Sequence, residues 1–476
     1  MRPTLLLTTL LASGCAAYTA EASREVRQAE VASDLGGEER EPEAAAALGQ
    51  RLEREAKALR AEQGDAGLTL SDCFRLALAT SERLGLRAER VFDVDMQRRE
   101  AIATVLPQVA LYGRHTKDSN SIALGGGGSF QPSERTSYGV RVRQAVFDPT
   151  ILPRLSVLAE TRQIEALNLR AERDQVLFGV ASDFYEILSL EADLVAIAAT
   201  AASAQESVRV LEARAELGLA REDSVLLAKA SLAEAEARRI QTAAERDRAK
   251  ARLRSKLGRQ TLPPLRDTYQ VSASPDALPR LVDRALAQRY DLAAARTAIA
   301  EAEASKDQAL SAYLPRVDLV FDHLTESEEG FNRQLDWTLG IDLSWTVFDG
   351  GGREARVARA AAAIRARQLE LRELERAVEV EVEEAALAFR SLDRALFSFR
   401  ARAEAAAAAY EVIESRQTSG DATNLEVLDA RRTREDAGRN LERARLGRKL
   451  AALRIRLAAG DFRRSAPALE LAGRTP

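Results

Sequence analysis

From Trp337 to Val347 every odd position is large and apolar (Trp337, Leu339, Ile341, Leu343, Trp345, Val347) and every even one is small or polar (Thr338, Gly340, Asp342, Ser344, Thr346). A period of two over this length predicts a strand with one greasy and one wet face, from about residue 335 to 348. Three further segments predict strands at about 107–116, 137–147 and 315–325. The first alternates imperfectly. The second sets Tyr138, Val140 and Val142 against Arg141 and Arg143, and the third sets Val317, Leu319 and Phe321 against Asp318 and Asp322. Charge on the second face points to an aqueous interior.

Elsewhere the period is helical. Leu177, Val180, Phe184, Ile187, Leu190, Leu194 and Ile197 recur every three or four residues, as packing positions between neighbouring helices and not as a cofactor box. Arg353 to Ser419 holds 67 residues without Gly or Pro, and Arg154 to Leu217 is interrupted only by Gly179. A continuous helix of that length is about 100 Å long, which suits a coiled-coil or stacked helical assembly rather than a compact domain. Each long helix ends near a Gly (Gly218, Gly420) and is followed by a second one, Asp223 to Leu257 or Asn424 to Ala459, so two antiparallel hairpins are predicted.

The chain also repeats itself. TVLPQV (104–109) recurs as AYLPRV (312–317), QAVFDP (144–149) as WTVFDG (345–350), and ELGLAREDSVLLAKA (216–230) as TSGDATNLEVLDARR (418–432). The common order gives two repeats of helix, two strands, long helix and shorter helix, at 67–258 and 279–460. A Pro-containing connector (259–278) separates them, and 461–476 is a tail.

The N-terminus adds an address. Arg2, the apolar run Leu5 to Leu11 and the small residues before Cys15 have the layout of a bacterial secretory signal, residues 1–14, too short for a membrane span. Leu11-Ala12-Ser13-Gly14-Cys15 resembles a lipobox, although Leu11 stands four residues before Cys15 where three is usual. Lipidation at Cys15 makes 15–66 an attached tether; plain secretion with Cys15 unmodified is the alternative. No further run of 18 apolar residues predicts a membrane helix.

Composition excludes several functions. The 69 basic and 73 acidic residues are interspersed, so no basic patch argues for nucleic acid. Cys73 is the only other cysteine, read as a small buried hydrophobe, which leaves no disulfide framework and no Cys metal site. His115 and His323 lack companion ligands, so no metal and no cofactor are expected. Neither a nucleophile elbow nor a phosphate loop occurs, and GGGGS (125–129) is too isolated to cradle phosphate. An enzyme is not expected.

Strands of about ten residues with alternating faces are what an outer-membrane barrel needs. Trp337 and Trp345 lie about 26 Å apart at 3.3 Å per residue, close to the separation of the two aromatic girdles of such a barrel. Four strands cannot close a barrel, and open edges are not tolerated in lipid, so other copies of the chain must complete it. Two copies would give the minimum barrel and three would give twelve strands, with the helical hairpins forming a second tube.

This layout resembles the TolC family of outer-membrane efflux proteins, in its lipoprotein branch, from about Leu68 to Gly460. The features that carry it are the duplication, Leu106-Pro107 and Leu314-Pro315 before the first strand of each pair, Val146 to Asp148 and Val347 to Asp349 before each long helix, and the hairpin turns. The resemblance implies a mainly α fold with transmembrane β, in which four strands per chain complete a twelve-stranded barrel in a homotrimer above a long α-helical periplasmic barrel. It implies a passive duct in the outer membrane, extending into the periplasm and joined through a periplasmic adaptor to an inner-membrane pump. By the same resemblance the turns meet the adaptor through Arg214, Leu217 and Gly218 in the first repeat and Arg416, Gly420 and Thr423 in the second, with Arg221 where a Thr is expected. Helix capping is another role for Gly218, Gly420 and Thr423. A periplasmic gate is expected at Glu411, with Glu404 and Glu414 nearby; three copies of such a carboxylate would favour cations.

The rival is a periplasmic coiled-coil lipoprotein that tethers or spaces the envelope without a pore. It accounts for Cys15 and the long helices, but not for two pairs of alternating strands at matching points.

Overall fold

The computed structural model describes residues 67–117, 122–124, 128–130, 135–271, 276–328, 334–419 and 421–462. The expected signal segment 1–14, Cys15, the expected tether 15–66, Gly420 and residues 463–476 of the expected tail lie outside the described residues.

The described elements are β1 (Leu68–Thr69), α1 (Leu70–Thr80), α2 (Glu82–Ala103), β2 (Gln108–Thr116), β3 (Ile122–Leu124), β4 (Gly128–Phe130), β5 (Arg135–Phe147), α3 (Ile151–Glu216) and α4 (Glu222–Lys256). They continue with β6 (Leu265–Arg266), α5 (Leu278–Gln288), α6 (Tyr290–Ser311), β7 (Arg316–Glu328), β8 (Gln334–Ser344), α7 (Gly352–Thr418) and α8 (Asn424–Ala458). The order of helix, strand pair, long helix and shorter helix occurs twice. Two-residue strands β1 and β6 carry too little alternation to be read in advance; they pair in parallel, Leu68 with Leu265.

The chain forms two compact units. One gathers the described residues up to Ala88 with Asn168–Leu292 and those from Leu374 onward, and the other comprises Glu89–Leu167 and Ala293–Glu373.

In the first unit, α1 starts at a capping box: Asp72 N donates to Thr69 Oγ1 at 3.3 Å, and Thr69 N donates to Asp72 Oδ2 at 3.1 Å. Such a box satisfies two of the amide groups that a helix start leaves without partners. Its apolar positions Leu70, Cys73, Phe74, Leu76 and Ala77 are buried with Leu177, Val180, Phe184 and Ile187 of α3, Leu253 of α4 and Leu453 of α8. Phe462 closes this core, its ring centroid 6.1 Å from that of Phe74 and 6.5 Å from that of Phe178. Each large side chain buried in this way contributes about 1.5–3 kcal/mol.

α3 passes through Gly179 without a break, and Lys256 Nζ donates to the Gly179 carbonyl at 3.0 Å. Pro153 is tolerated because it stands in the first helical turn, where amides have no partner within the helix. By length and composition α3 also contains a stretch apolar enough to cross a membrane, which the absence of an unbroken apolar run had hidden. Its Leu177, Val180, Phe184 and Ile187 are core residues. Two buried carboxylates tie α3 to its neighbours: Asp193 accepts from Arg443 Nε at 3.0 Å and Nη2 at 2.5 Å, and Asp183 lies 2.7 Å from Lys256 Nζ.

The second unit is built on an antiparallel sheet of order β2-β5-β7-β8. Each repeat supplies one hairpin, and β5 with β7 joins them. Val94 and Ala101 of α2 pack on Leu158 of α3, and Arg162 Nε donates to Asp95 Oδ1 at 2.9 Å.

Strand boundaries differ from the alternation: β5 starts at Arg135 and β7 runs on to Glu328, and the largest difference is at the end of β8. β8 stops at Ser344 and does not reach 348. Ser344 pairs with Arg316, so the next rung would bring Trp345 opposite Pro315, which has no amide hydrogen to donate. The Trp345 indole instead donates to the Tyr313 carbonyl at 3.1 Å.

Candidate functional site

Register fixes the two faces of the sheet, because residues directly opposite each other share a face. One face carries Val109 and Leu111 of β2, Val140 and Val142 of β5, Leu319 and Phe321 of β7, and Leu339 and Ile341 of β8. His323 and Trp337 extend it as one cross-strand pair, and Val317 and Leu343 as another. Among the described side chains, no Asp, Glu, Lys or Arg stands on this face within the four strands.

The apolar face is not covered by the chain itself. Leu111 is 81% exposed, Ile341 72% and Leu343 68%. An uncharged, exposed face many residues across is a surface for lipid or for another protein. Trp337 and Trp345 are both exposed, with Trp337 inside β8 and Trp345 just past its end.

The other face is charged and internally bonded. Tyr112 donates to Asp322 Oδ1 at 2.6 Å, and Arg141 reaches Asp322 Oδ2 through Nε at 2.8 Å and Nη2 at 2.6 Å. The Arg141 guanidinium also lies 5.0 Å from the Tyr112 ring centroid. These three residues come from three different strands, so the cluster locks β2, β5 and β7 in register. Sequence reading noted Arg141 and Asp322 only as members of a wet face. Tyr112, 210 residues away from Asp322, gave no local signal.

At the start of α7, Arg353 Nη2 donates to the Val347 carbonyl at 2.7 Å while its guanidinium sits 4.7 Å from the Tyr313 ring centroid. Asp349 accepts from Arg356 at 2.9 Å. In the first repeat Asp148 accepts from Thr150 N at 2.9 Å and from its hydroxyl at 2.7 Å. The repeated VFD sequence therefore fixes how each strand pair passes into its long helix.

The hairpin ends are set by capping. After α3, Gly218 N donates to Ala215 O at 2.9 Å and Leu219 N to Arg214 O at 2.8 Å, with Gly218 at φ 71°. This pair of bonds is a Schellman turn, which requires the left-handed backbone that glycine adopts without strain. Leu217 and Leu219 project from it, each 74% exposed. After α7, Asp421 N bonds Arg416 O at 2.8 Å, the equivalent of the Leu219 contact, and Arg416 Nη2 donates to Asp421 O at 2.9 Å.

The helices that follow start differently. Thr423 caps α8 through a capping box with Glu426, whose carboxyl is held below its ordinary range by the Thr423 amide and then by the Thr423 hydroxyl. Arg221 begins α4 with no side-chain cap and forms an ion pair with Asp223 at 3.0 Å. Of the acidic trio on α7, Glu411 is exposed, Glu404 lies 3.9 Å from Arg400, and Glu414 accepts from Tyr410 at 2.6 Å. Glu404 and Glu411 are two helical turns apart and share a stripe. Among the described residues no group of His, Cys, Asp and Glu is arranged to hold a metal ion.

A duplicated strand pair and a duplicated helical hairpin define a TolC-like fold. The chain matches the outer membrane efflux protein family over residues 75–259 and 281–461, and belongs to it. That membership places it among outer-membrane efflux channels and not among enzymes. A comparison with curated protein sequences finds no match. Among solved structures it is similar to a membrane protein from Pseudomonas aeruginosa, with TM-score 0.71, 20% identity, and coverage of 82% of this chain and 93% of that one. It is also similar to the Campylobacter jejuni CmeC outer membrane channel, with TM-score 0.72, 15% identity and 85% and 90% coverage. The open state of the Neisseria gonorrhoeae MtrE outer membrane channel matches with TM-score 0.69, 19% identity and 83% and 90% coverage.

Proposed function

We propose that three copies of the chain close their four-stranded sheets into one twelve-stranded barrel in the outer membrane, and that the helical hairpins form the periplasmic part of the same duct. The duct receives substrates from an inner-membrane pump through a periplasmic adaptor. The observation that supports this reading most is the exposed apolar face without a charged group among its described side chains, on a sheet whose outer strands β2 and β8 are edges. In lipid those edges need partners, and neighbouring copies supply them.

Within this reading the two repeats, 67–258 and 279–460, are the building units, joined by 259–278. Cys15 carries the lipid anchor after removal of residues 1–14. Trp337 and Trp345 lie in the membrane interfaces. Arg214, Leu217 and Gly218, with Arg416, Gly420 and Thr423, meet the adaptor. Glu411, supported by Glu404 and Glu414, forms the periplasmic gate.

Single-channel conductance in a planar bilayer, with the mass in detergent measured on the same sample, tests the proposal. Discrete current steps from a trimer are expected. A monomer or dimer that stays out of the bilayer would sink it and favour the tethering lipoprotein.

A further inference from the structure

The polar face of the sheet separates its charges by strand. β2 and β5 place Arg114, Arg141 and Arg143 there and, among the described side chains, no acid. β7 and β8 place Asp318, Asp322, Asp336 and Asp342 there, and Arg316 at the end of β7 is drawn onto Asp318 at 3.1 Å. The two stripes meet at one bonded pair, Arg141 with Asp322.

Beyond the directly opposed Arg141 and Asp322, this is not how a sheet would arrange charge for its own stability. Opposite charges directly across a ladder stabilise it and like charges destabilise it. Here Arg143 faces the apolar Val320, and Asp318 faces Asp342. A basic half and an acidic half side by side make a field that runs across the sheet.

The consequence rests on the barrel reading above. In a ring of copies, β8 of one chain borders β2 of the next, so each acidic half adjoins the neighbour's basic half. We infer that the barrel lumen carries three basic and three acidic sectors in alternation, a transverse field that accommodates solutes bearing both charges and gives the barrel little preference between cations and anions. Each two-strand sector is about 10 Å wide, since strands lie about 4.8 Å apart. The Debye length is about 8 Å at physiological ionic strength, so the sectors stay distinct beside the wall and cancel toward the axis. A low-dielectric wall focuses such fields into the water beside it. Zwitterionic solutes, with a positive and a negative group on one small frame, are the class that lies along the wall with both charges satisfied.

The test measures local potential at two neutral positions on the polar face. Ala110, opposite Arg141, and Thr338, opposite Asp322 and two residues from Asp336, are each replaced by cysteine in the full-length protein in vesicles. Rates of labelling by an anionic (sulfonatoethyl) and a cationic (trimethylammonioethyl) methanethiosulfonate are compared with their ratio on a free thiol. The unsubstituted protein, whose Cys73 is buried, sets the background. Ala110→Cys is expected to favour the anionic reagent and Thr338→Cys the cationic one, each by about fivefold at low salt, with both preferences shrinking toward one at 1 M salt.

Ile341→Cys on the apolar face keeps the two levels of the account separate, because a lipid-facing cysteine is silent to both reagents. If it labels as fast as Thr338→Cys, the membrane reading fails and the sectors with it. If it stays silent while Ala110→Cys and Thr338→Cys share one charge preference, show none, or do not react, the sectors alone are overturned.

Discussion

The Tyr112 ring covers Gly139 directly across the β2–β5 ladder, so closely that a Cβ on Gly139 would stand 2.8 Å from the Tyr112 hydroxyl oxygen. The same Cβ would come within 2.3 Å of the His323 carbonyl oxygen. Glycine is required here by close approach and not by backbone angle. Gly139→Ala must therefore push Tyr112 away from Asp322 or open the β5–β7 ladder. Overpacking of this kind costs about 1–3 kcal/mol. We expect heat dissociation of the assembled protein at a clearly lower temperature for Gly139→Ala, while Gly113→Ala, whose Cβ meets nothing closer than 3.9 Å, stays near the parent.

Cys73 gives a prediction in pH. Burial, and then the nearby Asp72 charge, pushes its thiol from 9.0 up to about 12. A thiol that ionises later in the folded state than in the unfolded one adds stability that is complete below pH 9 and is lost as pH rises toward 12. Tyr185, raised by burial and then by Asp267, acts in the same direction at higher pH. Denaturation midpoints measured from pH 8 to 11 should fall less steeply for Cys73→Ala than for the parent. An equal slope in both would remove Cys73 as a cause. The same burial predicts that Cys73 resists thiol reagents until the unit unfolds.

Much of this was legible beforehand because each feature carried its own periodic or positional signal. β8 alternates cleanly because its two sides meet different surroundings, and Gly218 marks a helix end because few other residues adopt its backbone angle. The end of β8 was not legible, since it depends on which residue lies opposite, and Pro315 is 30 positions away in the chain. The same holds for Tyr112, Arg141 and Asp322, whose meeting is a property of register between repeats. β1 and β6, two residues each, are held by burial of Leu68 and Leu265 and leave no pattern to read.

At the first hairpin, fold and contact can be separated. An added Cβ on Gly218 would meet nothing within 4 Å, so Gly218→Ala suffers only from the left-handed backbone, about 1–2 kcal/mol at one helix end. Leu217→Ser changes an exposed side chain and leaves the turn's two backbone bonds in place. If this turn meets an adaptor, Leu217→Ser should reduce co-purification of that adaptor while trimer mass and conductance stay unchanged. Unaltered co-purification would assign the turn to helix capping alone.

Glu411 is exposed on α7, and three copies around a pore would repel anions. Reversal potentials under a salt gradient should show lower cation preference for Glu411→Gln than for the parent, with a smaller change for Glu414→Gln because that carboxylate is already engaged by Tyr410. No change in Glu411→Gln would place the selective constriction at other residues.

Trp337 and Trp345 are the only tryptophans in the chain, so its intrinsic fluorescence reports on one strand and its end. The most direct test of the central claim is the quenching of that fluorescence in vesicles whose lipid acyl chains carry bromine at different depths. A barrel wall with its apolar face in lipid predicts strong quenching, greatest for bromines placed near the headgroups. Emission untouched by brominated lipid but quenched by aqueous iodide would contradict the account, because the face formed by Trp337, Leu339, Ile341 and Leu343 would then lie in water or against protein.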